Sequence, residues 1–394
     1  MSFLTVKNRI VIFLCSLLSI PCITPSSKAS PDVKVFDGLG VAASKVYYSR
    51  TPLSVGGSAE FFSFKAAQDT FPVMNTWKLS PHLGYRITPN FIFNSRFTIE
   101  NSGAELHGAG SVPKGQVRTD FVYIDLFLSS VFSVRLGQQL LPIGFVNQRQ
   151  DGIFYYSTYP PEVETELIPS TWSEHGLTVW GVGKNFHYQL AVYNSLDSQK
   201  FAKGTFIKGG RQNGQFAKVD DVAGAARLDY VSPWVSIGAS GFIGNTDQGN
   251  RAIRLGTTVL AEVHLQTSLK IINFSALVAE GQIRHADSVS LAIINQPDIP
   301  SKVRGYYVTA AIDLFELLSL SGSLPVFVRH SQYNLNLVMP TGATPDPRLN
   351  RTRTTLGINY KPKQNIAFKA DYQIRKNQRE SEANQISFGI SLSF

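Results

Sequence analysis

The last ten residues of the chain alternate between two kinds of side chain. Small or polar residues stand at every second position, and apolar residues stand between them: Ile386, Phe388, Ile390, Leu392 and Phe394. A period of two over this length predicts a β-strand whose two faces meet different surroundings. The segment 364–375 alternates in the same way, so the pattern belongs to more than one strand.

The alternating segments are long, and no helix able to cross a membrane accompanies them. Each covers about 9–11 residues, the length at which a tilted strand crosses a bilayer. After the first thirty positions the sequence has no apolar stretch of about 20 residues, which a transmembrane helix requires. Charged residues make up 16% of the chain, below the roughly 25% of soluble domains. Because an open sheet would leave unpaired backbone groups in lipid, we predict an all-β fold, a closed antiparallel transmembrane barrel.

Sixteen segments fit the strand pattern, and their connections fall into two classes. The predicted strands are 55–66, 76–88, 90–100, 119–129, 131–141, 174–183, 185–194, 221–231, 233–244, 253–266, 269–283, 303–315, 323–333, 352–361, 364–375 and 385–394. Tight turns such as Thr88-Pro89-Asn90 alternate with long polar connections at 102–118, 142–173, 195–220, 284–302 and 334–351. We therefore expect short periplasmic turns and long extracellular loops, as in outer-membrane barrels. Pro81 and Pro325 fall inside predicted strands, where we expect bulged or shifted registers.

The first 29 residues have the organisation of a cleaved signal peptide. Lys7 and Arg9 precede an apolar run over 10–20, and Ser27-Lys28-Ala29 fits a cleavage site. We predict cleavage after Ala29, an N-terminal lead-in over 30–54 and a barrel over 55–394. Both cysteines precede the cleavage site, so the mature chain would have no disulfide. The loss of three basic residues lowers the formal charge from +9 to +6, which is too small and dispersed an excess for a nucleic-acid partner.

On each predicted strand, apolar residues mostly occupy every second position, and we call this alternation the parity of the strand. It also predicts which residues lie inside the barrel. If Leu79, Leu83 and Tyr85 face lipid, the residues between them face the lumen. The same rule gives a predicted pore wall of Lys78, His82, Arg86, Arg96, Glu100, Asp125, Arg135, Lys369, Asp371 and Arg375. A dry core could not hold so many ions of both signs, because desolvating each one costs several kcal/mol. A barrel of sixteen strands is wide enough for an aqueous channel, whereas ion pairs filling a narrow barrel would be the alternative.

The connection 142–173 differs from the other long ones. It is rich in tyrosine and proline, which suits a loop packed against the inner wall. Its predicted constriction residues are Asp151, Tyr155, Tyr156, Glu162, Glu164 and Glu166. Facing wall arginines such as Arg86, Arg96 and Arg135, the carboxylates would create a transverse field that selects solutes by size and charge. In the alternative interpretation, they only make a surface loop soluble.

Motifs for catalysis or for cofactor binding are weak. The seven histidines are scattered, and no G-x-S-x-G motif occurs. Glu174-His175 is the only adjacent acid–histidine pair near a long connection, and adjacent strand residues point to opposite faces. We therefore predict no enzymatic activity, no cofactor and no metal site.

The region 134–194 resembles the phosphate-selective porin O/P family. The matching features are Gly137-Gln138, Pro142 and Gly144 after one strand, Pro169 and 171–174 before the next, Gly176, and 188–194. The resemblance implies a sixteen-stranded, usually trimeric porin whose third loop folds into the channel. Members that select phosphate have an arginine ladder and a lysine cluster, whereas the third loop here contains the acidic sequence PPEVETE. Phosphate selectivity is therefore not carried over.

These features predict a porin of the bacterial outer membrane through which small hydrophilic solutes or ions diffuse passively, with weak ion selectivity at most. Its partners would be outer-membrane lipid, the solutes and further copies of the chain in a homotrimer. One alternative is a surface receptor or adhesin whose lumen is blocked. Another is an outer-membrane hydrolase, which would need a Ser/His or Asp/His constellation on the outer rim.

Overall fold

The computed structural model describes residues 51–101, 115–250, 256–295 and 297–394, without the side chains of residues 76 and 77. Sixteen antiparallel strands form a closed barrel in which sequence neighbours pair and β1 pairs with β16. The strands are β1 Leu53–Ala66, β2 Val73–Arg86, β3 Phe91–Glu100, β4 Gln116–Ser129, β5 Phe132–Leu140, β6 Ser173–Val182, β7 Phe186–Asn194, β8 Val222–Val231, β9 Val235–Asn245, β10 Thr257–Leu269, β11 Ile272–Ile283, β12 Lys302–Asp313, β13 Pro325–Val338, β14 Asn350–Lys363, β15 Ile366–Asn377 and β16 Gln385–Ser393. The predicted fold class and strand number are confirmed. The predicted signal peptide and residues 30–50 of the lead-in lie outside the described residues.

The connections alternate in length around the barrel. Those at the turn rim are 87–90, 130–131, 183–185, 232–234, 270–271, 314–324 and 364–365. Those at the opposite rim, the loop rim, are 67–72, 101–115, 141–172, 195–221, 246–256, 284–301, 339–349 and 378–384. The segments 141–172, 195–221 and 284–301 are the third, fourth and sixth of these loops and are named so below.

In the described ranges, the helices are short and lie in the connections. Helix α1 covers Ala286–Ala292 in the sixth loop, and α2 covers Leu314–Leu317 in the longest connection of the turn rim. Single helical turns lie at Gly152–Phe154, Val163–Leu167, Ser198–Lys200, Lys208–Gly210 and Pro347–Leu349. No helix in the described part of the chain is long and apolar enough to cross a membrane.

The outer surface of the barrel carries exposed apolar side chains on every strand. Examples from around the wall are Leu79, Phe91, Phe97, Ile124, Leu136, Leu190, Ile237, Val263, Val308 and Phe388. The positions between them turn inward and are largely polar, as the period-two rule predicts. Exposed apolar area of this extent is stable only against lipid or another apolar surface.

The barrel closes at the ladder between β16 and β1, which we call the closing seam. β16 pairs with β1 from Ser58↔Ser393 to Ala66↔Gln385, which confirms the predicted closure of the barrel.

The two prolines in predicted strands have different positions in the sheet. Pro81 lies within β2, and the β2–β3 ladder is interrupted between Leu79 and His82 without a change of register. The expected register shift between β2 and β3 is therefore absent. Pro325 begins β13, a position at which the missing N–H weakens the sheet least.

Candidate functional site: the third loop and the barrel lumen

The third loop leaves the wall between β5 and β6 and reaches the opposite side of the lumen. Its ends are tied together by Asn147, whose side chain donates to the Leu141 and Trp172 carbonyls at 2.9 Å and accepts from the Trp172 amide at 2.7 Å. From this base, residues 151–162 contact side chains of β1, β3 and β13–β15. The loop is thus held across the barrel and not extended into solvent.

Asp151 fixes the loop to the wall through an ion pair. Its carboxylate lies 2.7 Å from the Arg96 guanidinium on β3 and accepts from the Ser58 hydroxyl of β1 at 2.8 Å. Burial by itself would raise the pKa of Asp151, but the charges of Arg96 and His82 and the Ser58 hydrogen bond lower it below its ordinary value. This contact brings together two residues that the sequence had assigned to the loop and to the wall.

The pKa of Asp151 predicts an acid-sensitive attachment of the loop. A carboxyl whose folded pKa is lowered contributes stability above its unfolded pKa, and that stability is lost as pH falls through the folded value. We expect steady single-channel currents from about pH 5 to 8 and noisier, larger currents once the pH falls below the ordinary aspartate value of 3.8. Asp151→Asn should show the noisy currents already at neutral pH. Identical traces from the parent and this variant at every pH would contradict the attachment.

The tip of the loop, residues 152–158, lies on β14, β15 and β16. Lys369 donates to the carbonyls of Gly152 and Ser157, and its ammonium lies 4.2 Å from the centre of the Tyr155 ring. The Thr158 amide donates to Asp371 at 2.6 Å. A Cβ at Gly152 would collide with the Ser391 hydroxyl and the Glu60 carboxylate, so any larger residue would force these two side chains to shift where the loop crosses from β15 to β1.

The two predicted constriction tyrosines also contact the wall. The Tyr155 hydroxyl donates to Glu60 on β1 at 2.9 Å, and burial, followed by the charge of Glu60, raises the pKa of Tyr155 well above its ordinary value. Tyr156 stacks on Phe327 of β13, with ring centres 5.7 Å apart. Both tyrosines therefore fix the loop rather than project into free space.

The three glutamates of the loop have different surroundings. Glu162 lies 3.4 Å from Arg329 and accepts from the Ser331 hydroxyl at 3.1 Å. Glu166 lies 3.4 Å from Lys208 of the fourth loop, and both side chains are part exposed. Glu164 is buried, and its burial raises its pKa. Of the three, Glu162 and Glu166 are part exposed, whereas Glu164 is not.

Glu164 is instead a structural residue of the loop. One carboxylate oxygen accepts from the Phe145 and Val146 amides at 2.5 and 2.7 Å, and the other accepts from the Tyr307 hydroxyl at 2.6 Å. These donors join the two halves of the loop to β12. The expectation that Glu164 faces a wall arginine is wrong, because the amides at the start of the loop are shielded from solvent and need an acceptor inside the barrel.

Several predicted wall residues pair with other wall or loop-rim residues and not with the third loop. Arg135 forms a bidentate contact with Asp125 at 2.8 and 3.0 Å, so it does not face the loop carboxylates as expected. Glu100 lies 2.8 Å from Arg118, and Arg375 lies 3.5 Å from Glu382. Lys78, His82 and Arg86 lie at inward positions of β2, where His82 is buried and the other two are part exposed.

Apolar side chains fill part of the lumen near the loop rim, which the sequence analysis did not anticipate. We call this cluster the loop core; it consists of Leu141, Ile143, Val163, Leu167, Ile168 and Trp172 of the third loop, Leu196, Phe201, Phe206 and Ile207 of the fourth, Ala286, Val289, Ile293 and Ile299 of the sixth, and inward residues of β7–β13 with Leu349. The inward positions on those strands include Tyr193, Phe242, Leu260 and Leu277. On this side, the lumen is therefore filled by apolar side chains where the sequence predicted an aqueous channel. Part-exposed charged side chains, including Arg118, Glu100 and Arg375, lie on the other side of the loop rim.

Two open cavities lie on the turn-rim side of the third loop. One of about 260 Å³ lies between the loop and β10–β14. The other, of about 750 Å³, extends along β7–β10 to the turns at 183–185 and 232–234. Both are lined by Phe145, Arg149 and Gln266, so they adjoin each other beneath the loop.

A histidine between two carboxylates on the wall was missed in the sequence. His264 of β10 lies 2.7 Å from Asp229 and 2.9 Å from Glu262 through its two ring nitrogens. Asp229 is on another strand, so only the fold brings the three together. With both nitrogens occupied by carboxylates, the ring cannot accept a proton from a hydroxyl nucleophile. Ser240, the nearby hydroxyl, donates to Glu262.

The Glu174-His175 pair is split between two surroundings, as its adjacency on a strand predicts. Glu174 is buried and accepts from the Gln212 amide and the Asn194 side chain. His175 is exposed, and its Nε2 lies 3.1 Å from the Gly214 carbonyl. The pair does not form a proton relay.

Comparison with known proteins locates the fold. No protein-family model matches the sequence. A protein of Aquifex aeolicus strain VF5, described only as uncharacterized, is 28% identical over 364 residues, which cover 90% of this chain and 82% of that protein.

Solved structures with the same fold are outer-membrane proteins. A loop L8 deletion mutant of OmpT, an outer membrane protein of Vibrio cholerae, has a TM-score of 0.56 at 10% identity, covering 87% of this chain and 99% of that one. OmpT of Vibrio cholerae in a trimer form gives 0.55 at 10% identity, with coverage of 87% and 99%. An anion-selective porin from Comamonas acidovorans gives 0.53 at 12% identity with the same two coverages. The similarity concerns the fold. Together with the exposed apolar side chains on the outer surface of the barrel, it identifies this chain as a β-barrel of the bacterial outer membrane.

Proposed function

We propose that this barrel is a porin through which small hydrophilic solutes or ions diffuse passively across the outer membrane. The observation that carries the proposal is the third loop, which lies across the lumen above two open cavities whose linings include polar and charged side chains beside aromatic ones. A loop held inside a wide barrel narrows an aqueous path without closing the membrane to small solutes. No residue arrangement among those described favours hydrolysis.

Planar bilayer recordings of the purified barrel test the proposal. We expect discrete conductance steps in potassium chloride, each from the insertion of one oligomer. The absence of any step, with a barrel that resists unfolding in detergent, would refute the porin function. That result would favour the receptor or adhesin.

One observation favours this second candidate, a surface receptor or adhesin with a blocked lumen. The loop core packs apolar side chains of three loops into the barrel. The same loops expose Phe216 and Ile294 almost fully at the loop rim, as a surface that binds another macromolecule would. Conductance separates the two candidates, because a receptor of this kind needs no open path.

The ion preference of the porin would depend on Glu162 and Glu166. Replacing both with glutamine leaves Arg329 and Lys208 without their carboxylate partners, so we expect the reversal potential in a salt gradient to shift towards anions. Glu164 is left intact in this variant because it holds the loop. Glu380→Gln, at an exposed position of the 378–384 loop, is the matched control and should leave the reversal potential unchanged. An equal potential in the double variant and the parent would place both glutamates away from the ion path.

Three finer assignments belong to the same proposal. The resemblance over 134–194 supports membership of the phosphate-selective porin O/P family without phosphate selectivity. A homotrimer is supported by the same resemblance and by the trimer form of one similar structure, and mass measurement in detergent tests it. Cleavage after Ala29 is tested by N-terminal sequencing of the protein from the outer membrane.

A further inference from the structure

The smaller cavity beneath the third loop combines aromatic and cationic walls. Its apolar side is formed by Phe145, Tyr156 and Phe327, of which the last two are stacked with their ring planes 24° apart. Its charged side contains Arg149, Arg329 and Lys361. The cavity volume, about 260 Å³, is enough for a single-ring organic molecule.

Three cationic side chains line the cavity, against one carboxylate. Glu164 is its only acidic lining residue, and both oxygens of that carboxylate accept hydrogen bonds from Phe145, Val146 and Tyr307. Lys361 donates to the Ile153 carbonyl at 2.8 Å and has no carboxylate within ion-pair distance in the described residues. A site with this excess of cations favours an anion.

Arg329 provides a second, independent indication of a missing partner. Its side chain is 3% exposed, and among the described residues its Nε has no hydrogen-bond acceptor. Its terminal nitrogens reach the Ser157 hydroxyl and, at 3.4 Å, Glu162. A buried guanidinium N–H without an acceptor is costly, and an anion in the cavity would supply one.

We propose that this cavity is a binding subsite for small organic anions with a flat apolar body, of which aromatic carboxylates are the simplest. The carboxylate would lie between Lys361 and Arg329, and the ring would lie against Tyr156 and Phe327. The larger cavity adjoins the subsite and extends to the turn rim, which gives such a ligand a path. This inference rests on the proposed porin function, of which it names one class of solute.

Benzoate binding to the full-length barrel in detergent, measured by calorimetry, tests the subsite. We expect benzoate to bind, whereas neutral benzamide and inorganic phosphate, which have only the ring or only the charge, bind at least about tenfold more weakly. Lys361→Gln should weaken benzoate binding about tenfold. Lys363→Gln removes the same charge from an exposed position on the same strand and should have no effect.

Phe327→Ala tests the apolar wall and should weaken benzoate while leaving phosphate binding unchanged. Equal binding of phosphate and benzoate would overturn the proposal in favour of a site for charge alone. No benzoate binding to the parent barrel, or equal weakening by Lys361→Gln and Lys363→Gln, would also overturn it. Benzoate binding without conductance would refute the porin function and leave the subsite standing. Conductance without benzoate binding would refute the subsite and leave the porin function standing.

Discussion

A variant in which five glycines replace residues 150–160 is expected to conduct severalfold more current per channel than the parent. The linker spans up to about 18 Å and preserves the base of the loop at Asn147 and Trp172. It removes every contact that Asp151, Tyr155 and Thr158 make with the opposite wall. Because the resistance of a pore is concentrated at its narrowest part, clearing the segment that crosses the lumen should have a larger effect on conductance than any single charge.

A control for this variant replaces the exposed residues Thr341 and Thr344 of the loop 339–349 with glycine. Both residues are exposed at the loop rim, so conductance should equal that of the parent. If the shortened third loop also conducts like the parent, then its tip does not limit the path. The loop core would then be the obstruction to examine.

Glu164→Ala is expected to destabilise the docked third loop more than any other single change in it. The substitution leaves the amides of Phe145 and Val146 and the Tyr307 hydroxyl without their acceptor. Each buried unsatisfied donor costs about 1–3 kcal/mol, so the docking free energy should fall by roughly 3 kcal/mol or more. Hydrogen exchange at the Phe145 and Val146 amides measures this loss directly, and current noise should rise with it.

Glu166→Ala, two residues further along, is the matched control. Its carboxylate is part exposed and 3.4 Å from Lys208, and an ion pair of that kind is worth about 0–1 kcal/mol. Adding Tyr307→Phe to Glu164→Ala removes one orphaned donor and should recover part of the loss. Equal exchange rates in Glu164→Ala and Glu166→Ala would show that the buried carboxylate does not hold the loop.

The barrel itself could be predicted from the sequence because its physics is local. A period of two and the rule that lipid permits no open edge are enough for fold class, strand number and the inward direction of Arg96, Lys369 and Asp371. The aromatic composition of the third loop was enough to indicate that it packs inward. The same parity rule would have assigned Glu60 to the lumen, since it lies between the apolar residues Ala59 and Phe61.

The partners of the loop could not be predicted, because parity gives the face of a strand and not the height of a residue within the barrel. Asp151 meets Arg96, but Arg135, equally inward, meets Asp125. The loop core was missed for a different reason. Strands such as β11 place apolar residues on both faces, with Leu277 inward and Val278 outward, and period two then no longer distinguishes a wet wall from a packed one.

The reach of the third loop has a consequence for how the molecule assembles. The loop lies in the middle of the chain, yet Asp151 and Tyr155 contact β1, Thr158 contacts β15, and Gly152 packs against Ser391 of β16. These surfaces come together only once the first and last strands have joined. The tip of the loop can therefore make all of these contacts only after the barrel has closed, so we expect docking of the tip to follow closure. The newly inserted protein would conduct more current than the mature one, and the rate at which this excess current decays would give the rate of the last step of folding.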